Sequence, residues 1–111
     1  MTKTTDLLPG TLDLLILNTL ALQSRHGVGV ADRLAQLTRG TFQVGPGSLF
    51  TSLHRMEARG WLASEWSTTE EGRRAKFYRL TASGRRQLQQ ETARWKTISG
   101  AVNQALALPQ E

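Results

Sequence analysis

Between Gly47 and Arg59, six small or polar residues recur at helical spacing: Gly47, Ser48, Thr51, His54, Arg55 and Ala58. At about 100° per residue they share one face, with Leu49, Leu53 and Met56 opposite and Ser52 at the edge. Such a face can enter the major groove of a duplex. Small side chains permit close approach, Ser, Thr and His bond base edges or phosphates, Arg reads guanine, and the free N–H groups of a first turn suit a phosphate. The same pattern also describes an ordinary amphipathic surface helix. A second cluster, Arg73, Arg74 and Lys76, places three cations where a loop meets a strand, suited to a phosphate backbone or a minor groove. With Glu70 and Glu71 alongside, it also reads as a mutually solvated charge patch.

Catalytic chemistry finds little support. The two histidines, His26 and His54, fall on different elements, there is no cysteine, and no acidic pair stands at a spacing suited to metal ligation or acid/base work. The expectation is a protein that is not an enzyme and carries no metal or cofactor.

The elements that must position these residues follow from periodicity. Leu12, Leu15, Ile16, Thr19 and Leu20 predict a first helix over about 11–23, with Thr11 as N-cap and residues 24–27 as its end. Residues 1–8 form a polar arm ending in Leu7 and Leu8. Val30, Ala31, Leu34 and Leu37 predict a second helix at about 28–38, closed by Gly40. Gly45-Pro46-Gly47-Ser48 is a turn with proline placed where a helix can begin, so the third helix runs to Arg59 and stops at Gly60. Segments 61–66 and 75–80 read as a hairpin with a long polar tip, in which Trp61 and Trp66 pack. A last helix, capped by Thr81 or Ser83, extends to about Leu108 before Pro109. Its first turn holds Arg85 and Arg86, against the helix dipole, where contact with flanking phosphate is one reading.

The expected fold is therefore mainly α with a small β-hairpin (α+β): a winged helix-turn-helix over 1–80, N-terminal arm included, and a C-terminal dimerisation helix over 81–111. Leu88, Thr92, Trp95, Ser99, Val102 and Leu106 alternate spacings of four and three, with Ile98 and Ala105 widening the stripe. Such a stripe outruns one small core, which points to a second subunit; Leu88, Thr92, Trp95, Ile98, Val102 and Leu106 are the expected dimer interface, although folding back on its own domain would also bury some of it. The net charge of +5 is local, since residues 54–96 hold ten Lys/Arg against five Asp/Glu and the remainder four of each. That placement suits a polyanion. No run approaches the ~20 apolar residues of a membrane span, and the first residues lack the basic segment, apolar block and cleavage site expected of a secretory leader. The expected setting is the cytoplasm.

These segments resemble the PadR family of bacterial transcriptional regulators over about residues 7–100. The resemblance rests on Gly10-Thr11-Leu12-Asp13-Leu14-Leu15-Ile16-Leu17, His26-Gly27 with Ala31 and Leu34, Pro46-Gly47-Ser48-Leu49-Phe50 with Leu53-His54-Arg55-Met56-Glu57, Gly60-Trp61-Leu62, and Glu71 through Gly84. It implies a homodimeric repressor on a palindromic site of double-stranded DNA, released by a small molecule or stress signal. Ser48 and Thr51 match the family's DNA-reading positions, and Arg73, Arg74 and Lys76 its wing. Position 50, usually a tyrosine close to DNA, is Phe50 here, which lacks the hydroxyl; position 51, often proline, is Thr51. The single terminal helix resembles the short-tailed branch. In some members an aromatic near position 95 lines an effector pocket, so the resemblance offers Trp95 as the platform for a flat apolar effector, with interface packing as the alternative. Two other classes share the scaffold: a protein-interaction module and a non-specific architectural DNA binder.

Overall fold

The computed structural model describes residues 9–108. The expected arm at 1–8, with Leu7 and Leu8, and the stop at Pro109 lie outside these residues. The element order is α1 (Pro9–Thr19), β1 (Arg25–His26), α2 (Gly27–Leu37), α3 (Pro46–Ala58), β2 (Leu62–Thr68), β3 (Arg74–Leu80) and α4 (Ala82–Ala107). It is a winged helix of the α+β class, followed by one long helix.

The first helix departs from expectation at both ends. It begins at Pro9, a first-turn position where proline's missing N–H costs nothing, so Thr11 lies inside it and caps nothing. It stops at Thr19, where the Thr19 hydroxyl bonds the Ile16 carbonyl at 2.8 Å. Two arginines then take up carbonyls beyond this end: Arg25 Nε donates to Thr19 at 2.9 Å and Arg85 Nη1 to Ala21 at 3.2 Å. Arg85 thus has a structural partner within the chain while its side chain stays exposed. The stretch at 24–27 also supplies a third strand, with Arg25 opposite Tyr78 and His26 opposite Phe77. The sheet order is β1-β3-β2, antiparallel throughout.

The hairpin is longer, and its tip tighter, than the residue pattern indicated. Pairing runs from Leu62 opposite Leu80 to Thr68 opposite Arg74. Within the loop, Thr69 N–H bonds the Arg73 carbonyl at 2.7 Å, and Gly72 turns the chain at φ +84. The third helix ends as its Gly60 foretells: Gly60 N–H bonds the Glu57 carbonyl and Trp61 N–H the Met56 carbonyl, each at 3.0 Å, with Gly60 at φ +80.

One core joins these elements. Leu12, Ile16, Leu17 and Leu20 of α1 meet Val30 and Leu34 of α2, Leu49, Leu53 and Met56 of α3, and Leu62, Tyr78 and Leu80 of the hairpin. Trp61 packs at its edge. Leu88, the first residue of the expected dimer stripe, packs there too and is half-buried within its own domain. Beyond it the stripe is open: Trp95, Ile98, Val102 and Leu106 are 47, 45, 51 and 76% exposed. Thr92, half-buried, turns its hydroxyl to the Leu88 carbonyl at 2.7 Å. Among the described residues, no helix is long and apolar enough to cross a membrane.

The joint between hairpin and α4 is close-fitting. Thr81 accepts from Gly84 N–H at 3.0 Å as N-cap, and its own N–H bonds the Trp61 carbonyl at 3.0 Å. Gly84 is buried against that same carbonyl, and a Cβ there would lie 2.0 Å from the oxygen. Gly84→Ala should therefore destabilise the fold by about 3 kcal/mol, because backbone must move to admit the methyl group. An unchanged denaturant midpoint would show that the joint yields freely.

Candidate nucleic-acid interface

Burial of Leu49, Ser52, Leu53 and Met56 sets the rotation of α3. Gly47, Ser48, Phe50, Thr51, His54 and Ala58 are left exposed. At the N-terminus Gly45 is the N-cap in extended geometry, no side chain caps this end, and Pro46 follows as the first helical residue. The N–H groups of Gly47 and Ser48 thus open the helix toward solvent, and a Cβ at Gly47 would meet nothing within 4 Å. A backbone or base edge can approach closely there. Phe50 leans toward α2: its ring lies over Gly27, where a Cβ would come within 2.7 Å of the ring. Its ring centroid is 6.3 Å from that of His54.

Arg55 is placed differently from its sequence neighbours. Its guanidinium turns to α1 and grips Asp13 with both arms, Nη1 to Oδ2 at 2.8 Å and Nη2 to Oδ1 at 2.7 Å. This hydrogen-bonded pair raises the Arg55 pKa above its already high value, against the opposing effect of burial. Guanine reading, expected of Arg55 from its face on the helix, would require giving up this partner.

Lys76 is likewise engaged. Its Nζ lies 3.4 Å from Glu57 Oε1 on α3, while the Ser64 hydroxyl donates to Glu57 Oε2. Ser64, Trp66, Lys76 and Tyr78 alternate onto one sheet face, and these contacts turn that face toward α3. Arg73 and Arg74 remain exposed at the tip. The Arg74 guanidinium lies 5.3 Å from the centroid of the Trp66 ring, and Trp66 is 59% exposed, so it is not the packing residue its type indicated. Exposed hydroxyls, an imidazole and free amides line the outer face of α3, and two exposed cations, Arg73 and Arg74, sit at the tip of the hairpin that α3 contacts.

The model of the "Transcriptional regulator PadR-like family" matches residues 16–90, a span that takes in every element from within α1 to the first turns of α4. The chain belongs to the PadR-like family of transcriptional regulators. As a PadR-like chain it is 37% identical over 76 residues to the transcriptional regulator Rv3488 of Mycobacterium tuberculosis, covering 68% of this chain and 67% of that one. Among solved structures, a PadR family regulator from Eggerthella lenta superposes with a TM-score of 0.75 at 29% identity, covering 90% of this chain and 85% of the other. One from Clostridium difficile gives 0.74 at 28% identity, covering 86% and 98%.

Two residues of this PadR-like surface escaped the reading from sequence. Asp13 was visible only as a lone carboxylate inside Leu12-Asp13-Leu14-Leu15-Ile16-Leu17, the one signal that it needs a buried partner. Glu57 reads as a helix-surface acid, but it ties α3 to the hairpin. Its pKa is held below the usual glutamate range, first by the Ser64 hydroxyl and further by Lys76. A carboxyl so depressed stabilises the fold above its unfolded value, and that contribution is lost as the pH falls through the folded one. Glu57→Gln should thus cost about 1 kcal/mol at neutral pH, with the gap to wild type closing as the pH drops through and below the ordinary glutamate range. Thermal unfolding of both proteins from pH 7 to pH 3 checks this; a gap constant with pH would remove the charge from the account.

Proposed function

We propose that this PadR-like regulator acts in the cytoplasm as a homodimeric repressor of a palindromic operator, with α3 in the major groove of each half-site and the β2–β3 wing on the flanking backbone. The observation that carries this reading is the exposed Gly47-Ser48-Thr51-His54 face of α3, on a helix tied through Glu57 to the hairpin whose tip carries the exposed Arg73 and Arg74. Hydroxyls and an imidazole on a helix narrow enough for the groove supply base reading, and the wing cations supply phosphate contact that any sequence offers. Lys76 belongs to this reading through Glu57, holding the wing to α3. Phe50, with no hydroxyl, offers an apolar edge suited to a thymine methyl.

The open stripe from Trp95 through Ile98 and Val102 to Leu106 supports the dimer. Two copies joined along it would present their α3 helices to half-sites about 34–36 Å apart, one duplex turn. Thr92 lies at the inner end of that interface. Between α4 and α1 a cleft of about 290 Å³ is lined by Leu14, Trp95 and Ile98 with Glu91 and Arg94 at its polar side. A flat apolar effector stacked on Trp95 suits this lining, and its arrival at the proposed interface would shift the separation of the two reading helices.

Selection of bound duplexes from a random pool at near-physiological salt tests the core of the proposal. A palindromic consensus is expected; enrichment of nothing, with binding that vanishes as salt rises, would mark an architectural binder, and no binding at low salt a protein-interaction module. Arg73→Ala and Arg74→Ala should each weaken binding to every duplex and flatten the salt slope by about one phosphate. Thr51→Ala should instead blur the preference among sites, and equal losses on all duplexes from both kinds of change would count against base reading by α3. Trp95→Glu should yield monomers in sedimentation, since a buried unpaired carboxylate cannot be sustained at such an interface; an unchanged dimer would place the interface elsewhere.

A further inference from the structure

The pair formed by Asp13 and Arg55 crosses 42 positions of sequence to join α1 to α3. Both carboxylate oxygens and both terminal nitrogens are used, a fork-on-fork geometry that fixes the two planes relative to one another, as a single point contact would not. Arg55 Nη2 also lies 3.5 Å from Ser52 Oγ, so the guanidinium is seated on its own helix as well. Asp13 is buried, and the Arg55 side chain is one-third exposed. Removing such charges from water is costly, and apolar residues of similar volume often serve stability as well or better. Stability alone therefore does not account for an acid in the apolar face of α1. The location of the pair does: Arg55 is adjacent to His54 and one turn from Thr51, on the helix whose outer face is offered to DNA.

We propose that Asp13 is a positioning residue for base reading, which touches no DNA but holds Arg55 so that α3 presents Ser48, Thr51 and His54 at one fixed rotation and tilt. The pair has a second effect of the same sign. A free guanidinium beside α3 would bond any phosphate within reach and raise affinity for all duplexes alike, eroding the difference between operator and bulk DNA. Held by Asp13, Arg55 contributes rigidity in place of indiscriminate charge. This inference rests on the base-reading role of α3 proposed above.

The test compares the wild-type protein and Asp13→Asn on the selected duplex and on an unrelated duplex of the same length, each titrated across a series of salt concentrations, with circular dichroism confirming the folded state. Asn retains the shape and releases the charge. Expected for Asp13→Asn is a ratio of operator to unrelated affinity lowered about tenfold, the size of one lost base discrimination, with a salt slope steeper by about one phosphate as Arg55 comes free. A merely structural pair would lower the melting temperature and leave both the ratio and the slope unchanged, and that result in folded protein overturns the inference. Arg55→Lys covers the case in which Asp13→Asn does not fold. It keeps the charge pair and loses the fork, so selectivity should fall with no change of slope, whereas wild-type selectivity would overturn the proposal. A wild-type protein with no preference between the duplexes would overturn base reading itself, and this role with it.

Discussion

Everything offered to DNA by this molecule depends on how one helix is buried. Leu49, Leu53 and Met56 are nearly inaccessible, and they meet side chains from α1, α2 and the hairpin in a single cluster. Because close-packed interiors leave few alternative arrangements, burial of that face leaves α3 little freedom to rotate. The outward direction of Ser48, Thr51 and His54 is then a consequence of apolar packing on the opposite side. Two polar ties refine it, Arg55 to Asp13 on α1 and Glu57 to Ser64 and Lys76 on the hairpin. Both ties leave the second half of α3, so the first half, with Ser48 and Thr51, carries no polar side-chain tie to the other elements among the described residues.

The charge distribution takes on a different meaning in this light. The excess of cations over residues 54–96 looks like a uniform basic face when counted along the chain. In three dimensions several of these cations are committed within the protein: Arg55 to Asp13, Lys76 to Glu57, Arg85 to the Ala21 carbonyl, and Arg59 over the Trp61 ring at 5.2 Å. Arg73 and Arg74 remain at the hairpin tip, where Arg74 lies against the exposed face of Trp66. The number of cations free to displace counterions from a duplex is therefore smaller than composition implies, and the exposed remainder is split between the hairpin, with Arg73, Arg74 and Arg79, and α4, with Arg86, Arg94 and Lys96.

The face of α3 was legible because its three apolar residues carry a period of 3.6 and its ends carry their own punctuation, Pro46 at the start and Gly60 at the stop. The two long strands were legible in kind, yet pairing extends beyond the apolar residues, so Thr68 and Arg74 had looked like loop. A two-residue strand such as β1 has no period at all, and it exists because β3 offers an edge opposite Arg25 and His26. The lone carboxylate of Asp13 in an apolar run shows that a partner is needed, but not that it is Arg55, since their meeting is decided by tertiary packing. Spacing alone also cannot say what covers a stripe: Leu88 shares its period with Trp95 and Val102, but it is partly buried against its own core while they stay open.

The close seat of Gly84 beneath the Trp61 carbonyl has a consequence for mechanics. Only a residue without a Cβ lets the chain turn from hairpin to α4 at this distance, and Thr81 locks the turn: its N–H donates to the Trp61 carbonyl, its hydroxyl to the Gly60 carbonyl, and its oxygen accepts from Gly84 N–H. From that stiff root, 26 residues extend as one rod of about 39 Å. A rod anchored at one end is a lever: a tilt of about 5° at the root displaces the far end by about 3 Å, on geometry alone for a helix of that length. A swing too small to disturb the core would still be large on the scale of contacts at the distal end of α4, and stiffness at one glycine governs how far it goes.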